Sequence, residues 1–148
     1  MKKFCYLTLF FLMSCSSASE NTIDEISLFS HEIKVIEESE KCYLVYGNEK
    51  KLISPKPPCH FLRSPKQTPQ YYSYANIGVD AVLIVSGSPV SNETRKEWGL
   101  SDDLVCGVDS QGILIKNGEI HVPDKVLEGG VLCRDKGSDE KNFWYFSH

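Results

Sequence analysis

The sequence predicts a β-rich α+β fold, mainly an antiparallel sheet of seven or eight strands with one or two short helices and two disulfides. Three observations carry this. Gly47-Asn48 and Asn117-Gly118 each sit between strand-like runs, as hairpin turns do. Ala81 to Val85 (AVLIV) is an unbroken apolar run of strand length. Four cysteines are spread between positions 42 and 133. The length of 148 residues suits one domain of ordinary size. With 41% hydrophobic residues the chain is too apolar for a disordered acidic segment and too polar for a multi-span membrane protein.

In chain order, Asn21 to Ser30 (NTIDEISLFS) begins with a capping-box pattern, Thr22-x-x-Glu25. Ile23, Ile26 and Phe29 fall near helical spacing, so a short helix is expected there. Glu32 to Val35 alternates polar and apolar residues, a strand pattern. Lys41 to Ser54 reads as two strands about Gly47-Asn48, and Pro55 to Pro58 stops the second. Cys59 to Arg63 is a short strand, Ser64 to Gln70 a polar loop, and Tyr71 to Ala75 a strand rich in aromatics. Ala81 to Val85 is the expected central strand, ended by Ser86-Gly87-Ser88-Pro89. Ser91 to Trp98 reads as a short helix capped by Ser91. Gly112 to Val122 is a hairpin about Asn117-Gly118, and Gly129-Gly130 reads as a turn. Asn142 to Phe146 (NFWYF) is the expected last strand.

The N-terminal segment stands apart. Met1-Lys2-Lys3 is a short positive region, followed by ten apolar residues, Phe4 to Met13. As a helix that run reaches only about 15 Å, half the hydrocarbon core, so it fits a signal peptide rather than a span. It ends in Leu12-Met13-Ser14-Cys15. This resembles the lipobox of bacterial lipoproteins. The resemblance implies removal of residues 1–14, a diacylglycerol-modified Cys15 as the mature N-terminus, and residues 15–22 as a lipid-anchored tether. Ser16 after the cysteine implies, by the same resemblance, sorting to the outer membrane on its periplasmic side. Plain secretion with cleavage near Ser17-Ala18-Ser19 is the alternative, leaving a soluble periplasmic or secreted chain. Residues 23–148 are the expected globular domain. Without residues 1–14 there remain 14 basic and 20 acidic side chains, a net charge of −6.

The cysteines then divide by role. Cys5 leaves with the signal and Cys15 carries lipid, so Cys42, Cys59, Cys106 and Cys133 remain. An even number in an exported chain implies two disulfides, for which three pairings exist. Cys42–Cys59 and Cys106–Cys133 are favoured, because each joins sequence neighbours flanking hairpin-like segments. Loop closure gives about 3 and about 3.5 kcal/mol to these two bridges. No C-x-x-C motif is present, so no metal site is expected, nor any cofactor.

Chemistry-bearing residues are few. His60 and His121 are the histidines considered as a general base, and each needs a partner that the sequence does not place. His121 alternates with Ile120 and Val122 and is expected on the opposite, solvent face. Ser86-Gly87-Ser88 lacks the G-x-S-x-G elbow of a hydrolase nucleophile. Asp102, Asp103 and Asp109 lack calcium-loop spacing. The aromatics offer more. Phe143 to Phe146 are four in a row, so a strand there presents aromatics on both faces, beside acidic Asp139 and Glu140. Tyr71, Tyr72 and Tyr74 add a second aromatic strand, with Tyr72 expected opposite the other two. The expected binding surface is therefore Tyr71, Tyr72, Tyr74, Asp139, Glu140, Trp144 and Tyr145, with no catalytic residue assigned.

Small size, acidic charge and the lack of a convincing catalytic constellation together lead to one expectation. It is a small envelope protein that docks a protein partner, as an inhibitor or immunity protein against a basic periplasmic enzyme or toxin. Two other classes stay open: a small periplasmic hydrolase using His60 or His121, and a structural component binding cell wall. No basic run longer than Lys50-Lys51 offers a nucleic-acid face.

Overall fold

Strand pairing begins at the first residues of the computed structural model, which describes residues 21–148. The lipobox with Cys15, Cys5, and the tether up to Glu20 lie outside the described residues. Among the described residues, ten strands form two antiparallel sheets, accompanied by two α-helices. The first sheet is a meander of β1 (Thr22–Leu28), β2 (His31–Glu38), β3 (Lys41–Tyr46) and β4 (Glu49–Leu52). The second is centred on two eleven-residue strands, β7 (Val79–Pro89) and β8 (Cys106–Lys116). Beyond β7 lie β5 (His60–Phe61) and β6 (Tyr72–Tyr74), which share its free edge. Beyond β8 lie β9 (Glu119–His121) and β10 (Val126–Cys133).

The sheets face each other across one core. Ile26, Ile33, Val35 and Leu44 come from the first sheet, and Phe61, Leu83, Val85 and Ile113 from the second. The other face of the second sheet is covered by helix α2 (Glu140–Ser147), whose Phe143 and Phe146 pack on Val82, Ile84 and Leu114. A side-chain carbon at Gly112 would lie 2.5 Å from Phe146 Cβ, so only glycine lets α2 approach β8 this closely. Helix α1 (Asn92–Glu97) is capped as expected: Ser91 Oγ accepts from the Thr94 N–H at 3.1 Å.

Both disulfides join the favoured partners. Cys42–Cys59 ties β3 to the residue before β5, one sheet to the other. Cys106 and Cys133 stand opposite each other in the β8–β10 register and are bridged there. Cys59 backs onto the C-terminal part of β7, where a side-chain carbon at Gly87 would come within 2.7 Å of Cys59 Sγ.

Four local readings are corrected. Residues 22–28 form a strand, not a helix. Ile26 and Leu28 point to the core in period two, while Ile23 and Phe29 of the expected helical face are 39% and 51% exposed. Pairing with β2 satisfies the backbone along the strand and overrides the capping box. Ser86 to Ser88 do not end the central strand, because β8 continues to pair with β7 as far as Pro89. Val126–Cys133 is a strand missed at Gly129-Gly130, and a register shift between Glu128 and Leu132 accommodates the glycines.

Residues 140–147 are helical, not a strand. Asp139 caps the helix through the Lys141 N–H at 3.0 Å, and Phe143 and Phe146, three apart, fall on one buried face. High strand propensity of aromatics loses here to packing of Phe143 and Phe146 on the second sheet.

Candidate binding surface

Six of the seven expected binding residues gather where β6 meets α2. Tyr72 and Tyr74, two apart on β6, share the face that α2 covers. Tyr72 packs on Phe143 with ring centroids 4.8 Å apart. Tyr71 is the one set apart, against the expectation for Tyr72. It turns the other way and meets Phe29 of the β1–β2 turn edge-on at 5.6 Å. Period-two alternation requires this, since 72 and 74 have the same parity and 71 the other.

On α2, Trp144 is 54% exposed and stacks on His148 at 4.5 Å with an interplanar angle of 13°. His148 in turn meets Tyr74 edge-on at 5.2 Å. Glu140, Lys141 and Trp144 line a shallow groove of about 230 Å³. Burial pushes the Tyr74 phenol above its usual value, and the Glu140 carboxylate beside it adds to the shift. Asp139 is exposed, but its carboxylate is occupied in capping the helix. Tyr145 lies on the flank, where its hydroxyl donates to the Val126 carbonyl at 3.3 Å and Lys125 Nζ sits 4.0 Å above its ring. His148 and Lys125 were not among the expected residues. His148 is four positions from Trp144, a spacing that matters only once the run is known to be helical.

The histidines separate clearly. His60 is 2% exposed and lies in one cross-strand row with Ser86 and Ser110, all buried. The Ser86 hydroxyl donates to the Asp109 carbonyl at 3.1 Å. Neither ring nitrogen of His60 has a hydrogen-bond partner among the described residues. Burial lowers its pKa to about 4, against an opposing pull from Asp24. Asp24 itself is engaged: it accepts from the Phe61 N–H at 2.8 Å and from Arg63 Nη2 at 2.5 Å. Substrate has no route to a side chain so enclosed. His121 is exposed, as its alternation with Ile120 and Val122 requires, and stands 3.9 Å from Glu119. Asp102 and Asp103 are exposed, and the Ser101 hydroxyl holds the Asp103 carboxyl below its usual value. Among the described residues no three His, Cys, Asp or Glu side chains cluster as metal ligands do, and no helix is long and apolar enough to cross a membrane.

No family model, no curated protein and no solved structure matches this chain.

Proposed function

We propose that the protein is a lipid-anchored envelope module that docks a basic protein partner, as an inhibitor or immunity protein for a periplasmic enzyme or toxin. The observation that carries this reading is the exposed Trp144 stacked on His148 beside Glu140. Tryptophan held rigid by a neighbour adds contact area with little entropy to lose, which is the character of an interface anchor. Net charge supports the sign of the partner: 14 basic and 20 acidic side chains follow residue 14.

Capture from envelope extract tests the reading. The chain is expected to retain a specific basic protein, and Trp144→Ala to lose it at least tenfold with an unchanged melting temperature. Capture of nothing specific, or equal capture by Trp144→Ala, would overturn it. Cosedimentation with purified cell wall that Trp144→Ala abolishes would assign a structural wall-binding component instead.

The anchor has its own readout in the intact mass of the envelope-extracted chain. The expected mass is that of residues 15–148 plus diacylglycerol and its associated acyl chain. An unacylated chain beginning after Ser17-Ala18-Ser19 would show plain secretion.

A further inference from the structure

Three hairpin turns meet at one end of the two sheets: Phe29-Ser30, Gly47-Asn48 and Asn117-Gly118. Between them, with walls from β2, β3 and β9, lies an open cleft of about 600 Å³. It is far larger than the groove beside Trp144. Its floor is apolar and aromatic. Ile120 and Tyr46 are half-buried there and pack on the core shared by the sheets. Its rim is acidic, with Glu32 from β2, Glu49 from β4 and Glu119 from β9, all exposed.

The charges do not cancel. Lys34, the one lysine or arginine lining the cleft, lies 2.8 Å from Glu32 and 3.6 Å from Glu25. It is thus already answered by two carboxylates. Glu119 has only the His121 ring, at 3.9 Å, and among the described residues no cationic group lies within 4 Å of Glu49. Glu49 is also close enough to Tyr46 to reinforce the rise in phenol pKa that burial causes. An aromatic floor with two uncompensated carboxylates above it, carried on different hairpins, is complementary to a planar cation on an apolar stem. A guanidinium offers five donors in one plane and stacks on aromatic rings, so its chemistry matches carboxylates and a tyrosine lining one cleft. Lysine presents a compact, strongly hydrated point charge and matches this arrangement less well.

We infer that this cleft receives an arginine side chain of the docked protein. The inference deepens the proposed docking of a basic partner and rests on it for the source of the arginine, but the cleft is separate from the Trp144 surface.

Nuclear magnetic resonance of the isotopically labelled exported chain provides the test. The probe is Nα-acetyl-arginine amide, with the uncharged citrulline amide of the same shape as control. Arginine amide is expected to shift residues 31–34, 45–49 and 119–120 saturably in the millimolar range, with binding weakened by added salt. The citrulline amide is expected to leave them unmoved. The double substitution Glu49→Gln and Glu119→Gln, both at exposed positions, is expected to weaken arginine binding at least tenfold with the rest of the spectrum intact. Absence of shifts at these residues, equal shifts with citrulline, or indifference to the double substitution would overturn the assignment. The two readings also fail differently. A partner captured equally well by the double variant sinks the cleft and leaves the docking module standing. Arginine amide seated in the cleft of a chain that captures no protein sinks the docking module, and with it the protein source of the arginine, while the cleft's specificity for a guanidinium stands.

Discussion

Replacing His60 by leucine is expected to remove a large part of the acid sensitivity of this fold. The imidazole is 2% exposed, without a hydrogen-bond partner, and its pKa lies at about 4 in the folded chain against 6.5 for the ordinary side chain. Above about pH 6.5 the ring is neutral in both states and protonation contributes nothing. As pH falls from 6.5 to 4, the unfolded chain takes up a proton that the folded chain refuses, so stability is lost across that window. Below about 4 both states are protonated and the loss levels off. The difference in pKa corresponds to roughly 3 kcal/mol. Asp24, Arg63, Arg134 and Asp135 surround the site and bring their own responses to acid. Comparing parent and His60→Leu isolates the histidine. In urea denaturation the variant is expected to match or exceed the parent at pH 7.5, since it buries no unpaired nitrogen. Its advantage is expected to widen by roughly 3 kcal/mol at pH 4. A constant difference across that range would show that the ring does not stay neutral when folded.

The second large effect lies in the aromatic run of α2. Phe143→Ala is expected to cost about 3–5 kcal/mol, since it empties a fully buried site against Tyr72, Val82 and Ile84. Phe146→Ala is expected to fall in the same range, with a cavity over Gly112. Trp144→Ala, at an exposed position, is expected to stay within about 0.5 kcal/mol of the parent. Denaturant midpoints for the three variants measure this directly. The order distinguishes helix from strand: a helix puts 143 and 146 together, whereas a strand would put 144 with 146. Equal losses at Trp144 and Phe146 would contradict the helix.

These contrasts show what the sequence made legible. The turns at Gly47-Asn48 and Asn117-Gly118 were readable because their chemistry is local: such pairs accept the left-handed backbone that a tight hairpin needs. The disulfide partners followed from hairpin neighbours in the same way. Residues 22–28 carry a capping pattern that is also local, whereas the strand there depends on pairing with β2, whose partner residues lie 3 to 14 positions further on. β10 was missed because its two glycines resemble a turn unless β8 is known to lie alongside. At the candidate surface the residue types were readable, and Tyr72, Tyr74, Glu140 and Trp144 do meet. Their arrangement was not, because it depends on α2 being helical. The burial of His60 was equally invisible, since adjacent Cys59 and Phe61 say nothing of what covers the imidazole. The acidic cleft draws on three turns far apart in the chain, so no single window of sequence displays it.

The two disulfides have a mechanical consequence. A pull on the chain from its N-terminal side enters at β1, an edge strand, and would peel it from β2 one rung at a time. Asp24 resists early, because its carboxylate fastens β1 to β5 and to Arg63. Beyond β2 the force meets Cys42 and crosses directly to Cys59, so residues 43–58 bear no tension. Further along it crosses from Cys106 to Cys133, bypassing residues 107–132. Those two loops hold β4 and β9 in full and most of β3, β8 and β10, out of reach of the load. A domain pulled from its N-terminal side would therefore yield at its first hairpin and keep the walls behind it.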